Sequence, residues 1–165
     1  MTESLNCPLF RSTDFMTDKI SHRIEDHLAR DGIYVSMTHG VSMRPMLREG
    51  RDTVLISPPA GRLSKYDVAL YRRGEDYVLH RVVEVREHDY VICGDNCIAR
   101  EYGIPENRIV GVLTGVMRDG KYVNMKGRGY RLYSRIWVAL YPVRRVFLRI
   151  RLWTGRVYHR LFPKR

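Results

Sequence analysis

No stretch of this chain is apolar enough to cross a bilayer. A spanning helix needs about 20 consecutive apolar residues, and the longest candidate, Ile136 to Tyr141, has six before Pro142 and two nearby arginines interrupt it. The first residues lack the charged-then-apolar pattern of a signal segment. Cysteine is scarce and odd in number, with Cys7, Cys93 and Cys97 only. An odd count without a secretory signal argues against a disulfide framework and for reduced thiols in a cytosolic compartment. Neither Cys93 nor Cys97 has the paired His or Cys partners that a zinc site uses, so no metal and no cofactor is expected. Internal repeats and low-complexity segments are missing too. Most informative is the lack of acid at one end. Lys126 to Arg165 hold twelve Lys or Arg and no Asp or Glu, while the other 125 residues hold 17 basic and 18 acidic side chains. The formal charge of +11 is therefore carried by the C-terminal end. Such asymmetry suits an anionic partner, either lipid head groups or nucleic acid.

What is present divides into three parts: a leader and helix over 1–31, a β-rich domain over 32–126 and a basic tail over 127–165. Thr17 is placed to cap a helix running to about Arg30, with Ile20, Ile24 and Leu28 forming one apolar stripe and Asp31-Gly32 ending it. One helix with no second helix tightly turned beside it speaks against a helix-turn-helix DNA reader. Seven segments rich in Val, Ile and Tyr follow: Ile33–Met37, Thr53–Ser57, Val68–Arg72, Tyr77–Val85, Tyr90–Cys93, Ile109–Arg118 and Tyr122–Met125. Gly and Pro clusters separate them, and Asp119-Gly120 reads as a two-residue hairpin turn. Short strands with few helices predict a mostly β domain, a coiled antiparallel sheet or open barrel. Gly127-Arg128-Gly129 reads as a linker, and Tyr130 to Phe162 is helical in composition with a break near Pro142. Val143, Val146, Phe147, Ile150 and Trp153 recur at helical spacing among Arg144, Arg145, Arg149, Arg151 and Arg156, a basic amphipathic pattern.

Three short segments carry side chains suited to chemistry. Gly40-Val41-Ser42-Met43-Arg44-Pro45-Met46-Leu47 puts a serine between a strand and a turn forced by Pro45, since proline pushes its predecessor out of helical geometry. Gly40 lets the backbone pass close to a bound peptide. Most loop serines only form turns. His80 sits in the apolar strand Tyr77–Val83, where a hydrogen-bonded core histidine is the ordinary reading. Yet a serine hydroxyl needs a base within hydrogen-bond reach, and neutral imidazole is suited to that work near neutral pH. The third segment is Gly94-Asp95-Asn96-Cys97-Ile98-Ala99-Arg100-Glu101. Asp95 there suits a turn, and Glu101 can offer His80 a carboxylate that fixes its tautomer.

In this order the segments resemble the boxes of type I signal peptidases, in the clan that also holds the self-cleaving phage and SOS repressors. Gly40 to Leu47 matches the family's Gly-x-Ser-Met-x-Pro-x-Leu nucleophile box in full. Asp67-Val68-Ala69-Leu70-Tyr71 is similar to the box that opens the next strand, with Tyr66 where the family has glycine. His80-Arg81-Val82-Val83 resembles the general-base box in its histidine form, found in the endoplasmic-reticulum and archaeal-like branch. Gly94-Asp95-Asn96 matches the last box, and Ile109-Val110-Gly111 the strand after it. The likeness covers about Ile33 to Val116. It implies Ser42 as nucleophile, His80 as general base and Glu101 or Asp95 as the third group; in place of the branch's aspartate pair stand Arg100 and Glu101. It implies a Ser-His endopeptidase that cleaves signal or leader peptides from precursors, binding an extended substrate along a strand, with Gly40, Met43, Pro45 and Asp95 lining the site.

The family's N-terminal membrane span has no counterpart in this sequence. The amphipathic segment over 130–162, with Trp137 and Trp153, is the element suited to a membrane surface. Each arginine near a charged leaflet adds about 1 kcal/mol. The expected partners are precursor or leader peptides and an anionic membrane surface, with no nucleic acid, and the expected place is the cytoplasm, peripheral on the membrane's cytoplasmic face. Two other readings differ in class. One is a catalytically silent module with a lipid- or nucleic-acid-binding tail. The other is a repressor-like autoprotease, a branch that uses lysine as base and joins a DNA-binding domain.

Overall fold

Segments dense in Val, Ile and Tyr fit a pleated sheet. Tyr34–Met37 and Asp52–Ser57 alternate in burial, whereas residues 68–71 and 90–93 of the central strands are buried in continuous runs. In a computed structural model that describes residues 17–161, helix α1 (Thr17–Asp31) precedes eight strands. These are β1 (Tyr34–Met37), β2 (Asp52–Ser57), β3 (Val68–Arg73), β4 (Asp76–Val85), β5 (Asp89–Cys93), β6 (Glu101–Pro105), β7 (Ile109–Arg118) and β8 (Lys121–Asn124). Helices α2 (Arg128–Ala139) and α3 (Tyr141–Leu161) complete the described residues. The leader over 1–15, the side chains of Ile20 and Arg156, and Phe162 lie outside the described residues.

The chain is mostly β. All pairings are antiparallel, in the order β1-β2-β7-β3-β4-β5-β6, with β8 on β7, and the sheet is not closed. Register shifts at Leu55/Ile56, Leu70/Tyr71, Val82/Glu84 and Tyr90/Ile92 coil it. Asp119 and Gly120 both have positive φ, as the two-residue hairpin between β7 and β8 requires. On one face, Ile24 and Leu28 of α1 pack with Val54, Ile56, Val68 and Leu70; another cluster gathers Ala69, Tyr71, Val78, Val82 and Ile92.

Two features depart from the sequence reading. The segment Glu101–Pro105, which lacks alternation, is a strand paired with β5. The expected linker is a helix start instead: Gly127 is the N-cap of α2, and Arg128 and Gly129 are its first turn. The tail is accordingly packed on the body. Tyr130, Tyr133, Ser134 and Trp137, spaced for one helical face, turn inward, and Tyr130 and Ser134 accept hydrogen bonds of 2.9 Å each from Arg81 Nη1.

Arg81 is the centre of that packing. It is fully buried, as is Asp95 but for a few per cent of its surface. Its Nε and Nη2 donate to the two Asp95 oxygens at 2.8 and 2.7 Å, and its other donors reach the Tyr66 carbonyl and Met46 Sδ. Burial opposes the charge, but the Asp95 carboxylate outweighs that cost and holds the guanidinium above its ordinary range. Tyr66, which takes the place of a glycine in the resemblance, has φ +83°. A side chain in that left-handed region costs about 1–2 kcal/mol.

Two outcomes are expected in urea unfolding. Asp95→Ala, which strands a buried cation, lowers stability by about 3–5 kcal/mol. Tyr66→Gly keeps or raises the midpoint, against the loss usual when a half-buried tyrosine is removed; a clear loss would show that the ring's packing outweighs the backbone strain.

Candidate active site

Alternation along β3 and β4 places Ala69, Tyr71, Val78, His80 and Val82 on one face, because Ala69 lies opposite His80 and Tyr71 opposite Val78. Glu101 starts β6, opposite Ile92 of β5. These registers bring three side chains together. His80 Nδ1 is 3.2 Å from Glu101 Oε1, the Tyr71 hydroxyl donates to the same oxygen at 2.7 Å and lies 3.3 Å from Nδ1, and Arg73 Nη1 stands 3.5 Å away. Burial opposes ionisation of Glu101, yet the bonds from His80 and Tyr71 and the charge of Arg73 outweigh it and hold the carboxyl below its ordinary range. Burial, reinforced by the Glu101 charge, pushes the Tyr71 phenol up, so it remains a donor. A carboxylate at Nδ1 assigns the imidazole proton there and leaves Nε2 as the basic nitrogen.

Nε2 faces the serine segment across Gly94. A Cβ built on Gly94 would stand 3.0 Å from His80 Nε2, 2.8 Å from the Ser42 carbonyl oxygen and 2.6 Å from Cys97 Sγ. Glycine at this position is thus the condition for the serine segment and the histidine to meet. Among the described residues no hydrogen bond joins the Ser42 hydroxyl to the ring; the approach is through the Ser42 main chain. Catalytic hydrogen bonds are often loose before substrate binds. The Ser42 N–H takes no main-chain acceptor among the described residues, so it is free to serve as an oxyanion donor.

The serine segment is held from two sides. Asn96 N–H donates to the Ser42 carbonyl at 2.7 Å and Asn96 Nδ2 to the Val41 carbonyl at 3.2 Å. At the other end buried Asp52 accepts from Arg51, Arg118 and the Arg48 N–H, Arg118 also reaches the Met46 carbonyl at 2.5 Å, and Thr38 bonds the carbonyls of Arg48 and Asp52. Burial works against the Asp52 charge, and the two arginines overcome it, holding the carboxyl well below its ordinary range.

Of the residues singled out in the sequence, His80 and Glu101 are in contact, and the Ser42 main chain lies across Gly94 from the His80 ring. Gly40, with φ +78°, and Met43 line a cleft of about 310 Å³ with Ser42. That cleft is bordered by Ser36 and Met37 of β1 and by Tyr77, Val78 and Leu79 of β4. β1 ends the strand order, so among the described residues one of its edges is unpaired. Pro45, preceded by a cis bond, lines a separate groove on the far side of the loop. Asp95 requires correction. It neither reaches His80 nor offers a free carboxylate to a peptide: both oxygens are bonded to Arg81, and Tyr133 adds a third donor at 3.3 Å. Between the two candidates for the group behind histidine, the geometry selects Glu101. Tyr71 is a member that sequence reasoning missed; its only signal was its place two residues from Ala69 on the strand beside His80. Among the described residues no cluster of His, Cys, Asp and Glu can hold a metal ion, and no helix is long and apolar enough to cross a membrane. Compared with known proteins, the chain matches no family model and no curated sequence.

Two measurements follow from the site. Gly94→Ala forces its Cβ against the Ser42 main chain and the His80 ring, an overpacking cost of about 1–3 kcal/mol, and separates the two groups. Stability in urea falls by that much, and Ser42 reactivity falls further than stability alone accounts for. Glu101 has a depressed pKa, so its contribution is present above its ordinary value of 4.5 and is lost as pH falls through the lower folded value. The gap in melting temperature between the protein and Glu101→Gln is widest near neutrality and closes below pH 4.5. A gap that widened with acid would refute the ionised pairing.

Proposed function

We propose that this chain is a serine endopeptidase of the signal-peptidase type, cleaving signal or leader peptides from precursors. The observation that carries the reading is His80, fixed at Nδ1 by Glu101 and directed by Nε2 at the Ser42 segment, beside a cleft that one unpaired strand edge borders. An extended peptide adds to the β1 edge, as in β-augmentation, and its scissile carbonyl comes to Ser42. His80 Nε2 takes the hydroxyl proton as the oxygen attacks. Glu101 stabilises the imidazolium without accepting its proton. The Ser42 N–H stabilises the oxyanion. The imidazolium protonates the leaving amine, and a water activated by the same nitrogen frees the acyl group. The apolar wall of Met43, Leu70 and Leu79 favours small or apolar side chains before the cleaved bond. The basic tail places the enzyme at an anionic membrane surface, in keeping with peptide leaders as substrates.

The test is covalent labelling of Ser42 by a fluorophosphonate together with cleavage of a leader-peptide substrate. Ser42→Ala loses both with its melting temperature kept, and kcat falls at least about a thousandfold. His80→Ala does the same, and His80→Lys retains partial activity if lysine reaches the hydroxyl. Protein that takes no label and cleaves nothing is a binding module, and the peptidase reading is then wrong.

A further inference from the structure

The Asp95–Asn96 peptide group links the tail to the serine segment. The carbonyl of Asp95 accepts hydrogen bonds from Trp137 Nε1 of α2, at 3.2 Å, and from Arg144 Nη2 of α3. The N–H on the other side of that same peptide unit, that of Asn96, donates to the Ser42 carbonyl. Donors on a carbonyl polarise the amide and strengthen its own N–H as a donor. Arg144 also donates to the Trp137 carbonyl at 2.8 Å and lies over the Trp137 ring at 4.2 Å. Tyr141 at the start of α3 donates to the Ile98 carbonyl in the same loop.

Arg144 is an incomplete fit. Burial presses its guanidinium below the ordinary range. Among the described residues its hydrogen-bond partners are carbonyl oxygens, and no carboxylate forms an ion pair with it. It lines an apolar groove of about 590 Å³ between the outer side of the serine loop and α3. That volume is within the range of small-molecule sites. Val41 and Pro45 form one wall, and Val143 and Phe147 the other. Arg44 and Arg151, both exposed, share the lining with Arg144; the one acidic residue there, Asp95, is already spent on Arg81. Tyr141, Arg144 and Leu148 bind α3 to the body, and Leu148 is its last buried side chain among those described. Val146, Ile150 and Trp153, all more than half exposed, follow helical spacing on the opposite side, and Val143 and Phe147, equally exposed, lie between that side and the groove.

We propose that an anionic phospholipid of a membrane surface is the occupant of this groove, and that its binding sets Arg144 as a positioning residue for Ser42. The headgroup phosphate meets Arg44, Arg144 and Arg151, supplying the counter-charge that Arg144 lacks. Apolar chains meet Val143 and Phe147, and the outward face of α3 enters the leaflet. Nucleic acid would satisfy the arginines but leave Phe147 and Trp153 without a partner. A lipid that binds better when α3 is seated on the body shifts the protein toward that state. The Asp95–Asn96 peptide then holds the Ser42 carbonyl, and with it the nucleophile. The proposal rests on Ser42 being the nucleophile.

The experiment is the rate at which the full chain's Ser42 is labelled by a fluorophosphonate, with and without vesicles, alongside co-sedimentation. Phosphatidylglycerol vesicles are expected to bind the protein and raise the labelling rate about fivefold or more, the low end of site-to-site couplings. Phosphatidylcholine vesicles do neither. Phe147→Glu abolishes both binding and acceleration. Arg144→Gln still sediments with phosphatidylglycerol through the α3 face but shows no acceleration, and Arg144→Lys restores part of it; a merely structural role would lower labelling equally with and without lipid. Ser42 labelled at the same rate when vesicle-bound and free overturns the coupling and leaves the peptidase reading intact. Acceleration by duplex DNA and not by vesicles overturns the choice of lipid. Absence of labelling under every condition removes both readings together.

Discussion

The buried pair of Arg81 with Asp95 is the interaction on which the rest of the arrangement depends. A guanidinium and a carboxylate cannot both leave water cheaply. Desolvation of each is of several kcal/mol, offset only where the geometry is bidentate and the remaining donors are met. Here those donors reach Met46 of the serine loop, the Tyr66 carbonyl before β3, and Tyr130 and Ser134 of α2. The pair therefore works as a fixed point shared by loop, sheet and tail. It also has the exactness of a specifying element, since an apolar substitute of equal volume would pack but would not dictate which loop meets which helix. What it secures is register between segments up to 53 residues apart in sequence.

Strand alternation converts that fixed point into a site. His80 and Arg81 are consecutive, so the pleat sends them to opposite faces. One face receives the imidazole with Tyr71 and Glu101; the other receives the structural guanidinium. The turn after β5 repeats the division over three residues. Gly94 leaves room for the ring and the serine segment, Asp95 closes the ion pair, and Asn96 holds the Ser42 carbonyl. Two short segments thus interlock through the ion pair, the Asn96 hydrogen bonds and the space left at Gly94. Positioning within fractions of an ångström needs such a second layer of contacts, and this one is made of main-chain bonds and a buried charge pair, which are stiffer than surface contacts.

Local features were legible in the sequence, and non-local ones were not. The seven segments rich in β-branched and aromatic residues are all strands, because that density is a local property of each segment. The end of α1 at Gly32 and the Asp119-Gly120 hairpin were equally readable from local turn chemistry. β6 was missed because Glu101-Tyr102-Gly103-Ile104-Pro105 has neither alternation nor β-branched density; it is a strand only because β5 offers it an edge. Gly127-Arg128-Gly129 reads locally as a linker because glycine breaks a helix interior, whereas the start of α2 tolerates it. The engagement of Asp95 by Arg81 is not legible locally, because the partner lies fourteen residues back on β4 and nothing in a turn motif announces it. Glu101 was readable as a candidate, and only the β5–β6 register separates it from Asp95.

Tyr66 shows how a local rule can be overruled at a structural cost. Its φ of +83° is one that glycine adopts freely, yet a tyrosine occupies it. The backbone there is committed from both sides: its N–H donates to the Val82 carbonyl at 2.8 Å, and its own carbonyl accepts from Arg81. Relaxing φ would release a ladder bond and uncover one donor of the buried guanidinium, each costing about 1–3 kcal/mol when left unmet. That is at least as large as the strain of about 1–2 kcal/mol in a left-handed side-chain-bearing residue. The conformation is therefore imposed by the ion pair rather than chosen by the residue. Glycine is the residue that would meet the same demand of the buried arginine without strain.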